Sequence, residues 1–247
     1  MSLPRIVAPE TLDHLAADDP AAMRSRRDLR RVHRIMRTAS IVANAIGASK
    51  ALRRPEPFRV LELGAGDGTL MLRVARAIGR VDAAVQLTLL DRLALVEPVT
   101  IDGYARVGWR AEATTADVLE WAAASTPGRA STASTGKRWD LIIANLFLHH
   151  FQGRELQSVL RAIATRSDRL FACEPRRARL ALVAAHLTGL IGANAVTRED
   201  AVLSVHAGFH ADELTATWKS FETGWTVREY GAGLFSHCFD ARRRGIP

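Results

Sequence analysis

The stretch Val60-Leu61-Glu62-Leu63-Gly64-Ala65-Gly66-Asp67-Gly68-Thr69-Leu70 constrains this 247-residue chain more than any other. A short apolar run bounded by turn residues reads as a buried strand. It leads into three glycines at alternate positions, and an amphipathic segment follows at once. Glycine lets the backbone turn sharply and approach a ligand where a Cβ would collide. The start of the next helix offers N–H groups with no partner inside the helix. A loop of this kind is shared by several nucleotide-binding folds, so the remainder of the chain must discriminate between them.

The surrounding rhythm is α/β. Strands are expected at Phe58–Leu63, Val85–Leu90, Trp109–Thr115, Leu141–Ala144 and Arg169–Cys173. Helices are expected at Thr69–Gly79, Val118–Ala124 and Arg154–Ala164 between them. Short apolar strands alternating with helices imply a parallel sheet covered on both faces. After the fifth strand come an apolar helical segment, Arg179–Ile191, and a second helix, Ala211–Lys219. Two strands, Trp225–Tyr230 and Leu234–Ala241, are joined by Gly231-Ala232-Gly233, so one strand of this hairpin runs antiparallel. A serine-, threonine- and glycine-rich linker spans Ser125 to Gly136. Before the first strand, Asp19-Pro20 opens a helix reaching Arg37 and a second runs from Ile41 to Leu52. Residues 1–56 therefore form a helical appendage, and 57–247 a doubly wound, seven-stranded, mostly parallel sheet domain.

Two details bear on the ligand. The dinucleotide fingerprint places its third glycine or alanine three positions after the second; Thr69 stands there, and Gly68 gives G-x-G-x-G instead. Asp91 ends the second strand, where a carboxylate can accept both hydroxyls of a ribose, and Asp117 ends the third, where it can accept from an adenine amino group. Glu62 to Gly68, Asp91, Asp117-Val118 and Asn145-Leu146 resemble, in order, the cofactor motifs of class I S-adenosylmethionine-dependent methyltransferases. The resemblance covers about residues 57–241 and implies a seven-stranded sheet with an antiparallel last strand. It also implies a cofactor site of Glu62, Gly64, Ala65, Gly66, Gly68, Asp91 with the adjoining Arg92, Asp117, Val118, Asn145 and Leu146. In that site the glycines and Glu62 lie by the methionine part, Asp91 at the ribose, and Asp117 with Val118 around adenine. Asn-Leu-Phe-Leu-His-His-Phe (145–151), Cys-Glu-Pro-Arg-Arg (173–177) and Gly-Leu-Phe-Ser-His-Cys-Phe (233–239) resemble segments of bacterial small-molecule methyltransferases found beside type III polyketide synthases.

Ligands of open α/β sheets bind beyond the carboxyl ends of the strands. His149 and His150 follow the fourth strand and Glu174 the fifth, so these three are the expected acceptor-side catalytic residues. Histidine has the unperturbed pKa of a base near neutrality. The competing readings are a helix-capping or loop-satisfying histidine, and a Glu174 paired with Arg176 or Arg177. The reaction expected is methyl transfer to the oxygen of a small, largely apolar phenolic, quinone or polyketide-like acceptor, with carbon methylation left open. Leu180–Ile191 fits the wall of an apolar pocket, and equally a core helix. No metal site is expected: His206 and His210 lie four apart without a third ligand nearby.

The formal charge of +8 raises nucleic acid as a partner. Most of it sits between Arg24 and Arg37 and in Arg242 to Arg244, leaving the remainder close to neutral, so no domain-wide basic groove is expected. The arginine helix reads as a solvated lid whose Leu29, Val32, Ile35 and Met36 pack inward. The alternatives are a basic amphipathic helix on a membrane surface, or an RNA or protein methyltransferase docking its partner there. A homodimer is left open. Two cysteines without a pairing pattern, no spanning apolar run and no secretory leader point to a cytoplasmic protein.

Overall fold

The computed structural model describes residues 3–47, 49–53, 55–124 and 138–245. The Ser125–Gly136 linker lies outside the described residues.

Seven strands form one sheet: β1 (Phe58–Leu63), β2 (Val85–Asp91), β3 (Trp109–Thr115), β4 (Leu141–Asn145), β5 (Arg169–Pro175), β6 (Trp225–Ala232) and β7 (Ser236–Arg243). Their order is β3-β2-β1-β4-β5-β7-β6. All neighbours pair in parallel except β7, which is antiparallel to both β5 and β6. The expected hairpin with one reversed strand is therefore present. The central strands β4 and β5 are buried along their whole length, as both-face coverage requires. The edge strand β3 exposes Arg110, Glu112 and Thr114, which discourages pairing with another chain. Cys173 and Cys238, which sequence spacing did not connect, face each other across β5 and β7 as buried free thiols.

Helices α1 (Pro20–Ile35) and α2 (Thr38–Gly47) precede the sheet. Asp19 caps α1 by accepting from the N–H groups of Ala21 and Ala22, with Pro20 in the first turn, which is the start the sequence indicated. Within the sheet domain follow α3 (Thr69–Ile78), α4 (Pro98–Arg106), α5 (Val118–Ala123), α6 (Gly153–Arg166), α7 (Arg179–His186), α8 (Ala195–Ala207) and α9 (Glu213–Lys219). Val42 and Ile46 of α2 share a core with Val60, Val85, Leu87 and Ile143 on one face of the sheet. Leu61, Leu63, Ile142 and Leu170 join α5, α6 and Trp218 on the other.

Two helices escaped the sequence reading, each for a visible reason. α4 carries Gly103 at its middle, where a Cβ would press on Leu72 of α3; the glycine permits close packing but weakens the helical signal. α8 buries Thr197 and Asp200 beside Val205 and Ala207, so its inward face lacks an apolar stripe. Two expectations are corrected. On α1 the buried face is Ala22, Ser25 and Asp28, while Ile35 is 55% exposed. Asp28 accepts from the Asn194 N–H (2.9 Å) and from Arg31 (2.8 Å), so the helix is fastened by polar bonds more than by the stripe. Leu180, Val183, Leu187 and Leu190 are exposed and line neither of the two cavities described below, because α7 packs through the small residues Ala181 and Ala185. No helix among the described residues is long and apolar enough to cross a membrane.

Candidate active site

A cavity of about 460 Å³ opens beyond the carboxyl ends of β1, β2 and β4, at the point where strand order reverses between β1 and β4. That is where open α/β sheets bind ligands, and the volume lies in the range of small-molecule sites. Of the residues expected to hold a cofactor, Glu62, Gly64, Ala65, Gly66, Asp91, Arg92, Asp117, Val118, Asn145 and Leu146 all line it. Gly68 lies at the back of the loop, capping α3 in the left-handed conformation. A second cavity, about 440 Å³, lies between the ends of α2 and α3 at the amino ends of β1 and β2 and gathers none of these groups.

The loop is held by side chains that also face the cavity. Gly64, Gly66 and Gly68 all have positive φ, which explains the residue type. Asp91 accepts from the Gly66 N–H at 2.8 Å and the Leu93 N–H at 3.0 Å. It thereby fixes the loop against the end of β2. The buried Tyr104 hydroxyl donates to the Gly68 carbonyl at 2.6 Å. Asp117 uses Oδ1 to cap α5 through the N–H groups of Leu119 and Glu120. The Arg92 guanidinium turns to the Asp13 carbonyl and carboxylate, so it ties down the N-terminal segment.

Glu62 is the anomaly. Its side chain is 3% exposed and Oε2 has no hydrogen-bond partner among the described residues. Burial, and then the charges of Asp91 and Asp67, push its carboxyl up to about 8. Asn145 Oδ1 is likewise buried without a partner. Two orphaned acceptors in one cavity are costly unless a donor arrives. An ammonium-bearing ligand fits them, and the adjoining glycine cradle leaves room for it.

At the other end of the cavity, Glu174 is completely buried. Its carboxylate accepts from the backbone N–H groups of Phe147, Leu148 and His149 and meets His149 Nδ1 at 2.9 Å. It neither pairs with Arg176 or Arg177 nor lines the cavity, so the expectation that it meets an acceptor is corrected. It anchors the turn after β4 and orients His149. His149 Nε2 faces Glu10 Oε1 at 3.3 Å. Burial opposes charge on this ring, but the hydrogen bonds it donates to Glu10 and Glu174 prevail and raise it to about 9. His150 Nδ1 lies 3.2 Å from Asp13 Oδ2, and its ring sits 4.3 Å from that of His149. His237 pairs with Glu229 at 2.7 Å, outside the cavity.

Several residues the sequence reading missed complete the site. The N-terminal segment runs over the cavity as a strap. Arg5 donates to the carbonyls of Ala207, His149 and Phe151, and Asp200 accepts from the N–H groups of Thr11 and Leu12. This brings Glu10 and Asp13 to histidines about 140 residues away, which no local motif signals. From α1, Leu29, Arg30 and His33 close the cavity, and Arg30 bonds Asp67 of the loop at 2.7 Å. Phe147 lies against Gly64 and makes an edge contact with Phe151.

No protein-family model and no curated protein sequence matches the chain. Solved structures do. The plantazolicin methyltransferase BamL, in complex with a triazolic desmethylPZN analogue and S-adenosylhomocysteine, matches with a TM-score of 0.61 and 14% identity over 94% of this chain and 93% of that one. An O-methyltransferase family protein from Burkholderia thailandensis matches 92% of this chain at 19% identity, TM-score 0.54; this chain spans 61% of its length. The methyltransferase domain of the bacterial protein CtHen1-C matches 84% of this chain at 13% identity, TM-score 0.54, with 97% of that chain covered. The fold is that of S-adenosylmethionine-dependent methyltransferases.

Proposed function

We propose that the chain is an S-adenosylmethionine-dependent methyltransferase acting on an oxygen of a small, largely apolar phenolic, quinone or polyketide-like acceptor. The observation that carries the cofactor is Glu62, whose buried Oε2 has no hydrogen-bond partner among the described residues, beside a glycine loop held by Asp91. Bound there, S-adenosylmethionine supplies an electrophilic methyl, which an acceptor lone pair takes as the methyl–sulfur bonding pair returns to sulfur. Glu62 and Asn145 are placed for the ammonium of its methionine part. Asp91, already positioned by Gly66, is placed for the ribose hydroxyls, and Asp117 with Val118 for adenine.

The chain's contribution is alignment and exclusion of water. The strap and α1 cover the cavity, and Leu29, Leu12, Phe147 and Phe151 give its acceptor end an apolar wall. An acceptor hydroxyl meets His149 and His150. His149 holds its own proton at neutral pH, so it donates and positions; His150, held by Asp13, receives the acceptor's proton. Three of the six arginines of α1 are engaged within the molecule, Arg30 on Asp67, Arg31 on Asp28 and Arg26 on the Ala17 carbonyl. This favours a lid over a docking surface for RNA or protein. Incubation with S-adenosylmethionine and a panel of phenols, hydroxyquinones and enols, followed by mass spectrometry, tests the reading. Gain of one methyl on an acceptor oxygen with stoichiometric S-adenosylhomocysteine is expected. Methylation confined to RNA or protein, with every small acceptor untouched, would overturn it.

A further inference from the structure

We propose that Glu10, His149 and His150 form a site for one divalent first-row transition-metal ion of the zinc type, open toward the cavity. One carboxylate oxygen and one ring nitrogen of each histidine lie within 4.8 Å of one another, and all three residues line the cavity. Two imidazoles and a carboxylate are a donor set that binds Zn²⁺, Co²⁺ or Fe²⁺ while leaving positions for a further ligand.

The surroundings are those of a built site. A histidine ligand ordinarily gives its second nitrogen to a carboxylate, which fixes the ring. Glu174 does this for His149, holding Nδ1 so that Nε2 faces Glu10. Glu174 cannot turn away, because three backbone N–H groups hold it. Asp13 holds His150 from the strap, and the Ser204 hydroxyl donates to Glu10. The charged groups at the cluster are the carboxylates of Glu10, Asp13 and Glu174 and the protonated His149 ring, whose Nε2 proton an incoming ion displaces to solvent. Arg92 faces Asp13, and Arg5 faces the carbonyls of His149 and Phe151. Three carboxylates around two imidazoles favour a dication. Ligand atoms around zinc stand roughly 3.5 Å apart, so the triad must contract. Glu10 lies outside the helices, on a strap held by side-chain bonds, and can supply that movement.

The consequence for the acceptor rests on the methyltransferase reading. The positions left open on the ion would take an acceptor oxygen from the cavity, and its hydroxyl would give up its proton to solvent as the oxygen binds, before methyl transfer. In the ion-loaded protein His150 is a ligand, and the ion replaces it as the cause of deprotonation. The substrate class is thereby narrowed to oxygen donors.

Titration of the metal-stripped full-length protein with Co²⁺, followed by visible absorption, tests the site, and Zn²⁺ competition reports affinity. One saturable equivalent per chain is expected. Affinity should fall by about 10–100-fold in Glu174→Gln, whose residue orients a ligand without touching the ion, and further in His150→Gln. S-adenosylhomocysteine binding and thermal melting on the same samples show that each variant is folded. Absence of a saturable cobalt band, or equal cobalt affinity in folded His150→Gln, would overturn the metal site while leaving adenosyl binding intact. Cobalt binding without adenosyl binding would instead refute the cofactor reading alone.

Discussion

Glu62 ties the cofactor assignment to a measurable proton. Its carboxyl sits at about 8 in the ligand-free protein, so at pH 7 about nine-tenths of it is protonated. An ammonium facing Oε2 requires the ionised form, and ionising it at pH 7 costs about 1.4 kcal/mol, a factor of about ten in affinity. Binding of S-adenosylhomocysteine at pH 7 should therefore release about 0.9 proton, and affinity should rise about tenfold between pH 6 and pH 7. The measurement is titration calorimetry in buffers of different ionisation enthalpy, at or below pH 7 so that the ligand's amine stays charged. 5′-Methylthioadenosine, which lacks the amino acid part, should bind without proton release, and Glu62→Gln should abolish the release seen with S-adenosylhomocysteine. One-to-one binding with no proton release in the wild-type protein would refute the reasoning. So would equal release with methylthioadenosine. Stability follows from the same shift. A pKa raised above its ordinary 4.5 means that stability complete below pH 4.5 is lost as pH rises toward about 8. The ligand-free wild type should lose ground to Glu62→Gln across that window and no further above it.

Three other perturbations probe the supports of the site. Gly64→Ala places a Cβ against the Phe147 ring in a left-handed conformation; melting should show a loss of about 2 kcal/mol or more, with adenosyl binding gone. Tyr104→Phe removes the bond to the Gly68 carbonyl and should cost about 1 kcal/mol in stability. Asp28→Ala strips the Asn194 N–H of its partner, costing about 1–3 kcal/mol; trypsin should then cut faster among the arginines of α1 while the sheet domain stays resistant.

The sheet was legible because β1, β2 and β4 are short apolar runs closed by Gly64, Asp91 and Asn145, with Asp117 following the more polar edge strand β3, and all four of those residues lie on the cavity. The local start of α1 was legible for the same reason, since Asp19-Pro20 is a cap in four or five residues. What the sequence hid is whatever depends on distant polar pairing. α8 shows no amphipathic pattern because it buries Asp200 to receive the strap. Glu10 and Asp13 belong to no local motif, and only folding brings them to His149 and His150. Glu174 was expected to follow the fifth strand and lies within the end of β5, but its partners are backbone N–H groups of the turn after β4, which carry no sequence signature.

The most direct test of the central claim is a calorimetric titration with S-adenosylhomocysteine beside NADH, on the wild type and on Asp91→Ala. Asp91 holds the Gly66 N–H and faces the cavity, so its loss removes both the ribose acceptor and a support of the loop. Saturable one-to-one binding of the adenosyl ligand alone, weakened at least about tenfold in the folded mutant, is the expected result. Preference for NADH, or no adenosyl binding by a folded wild-type protein, would contradict the account.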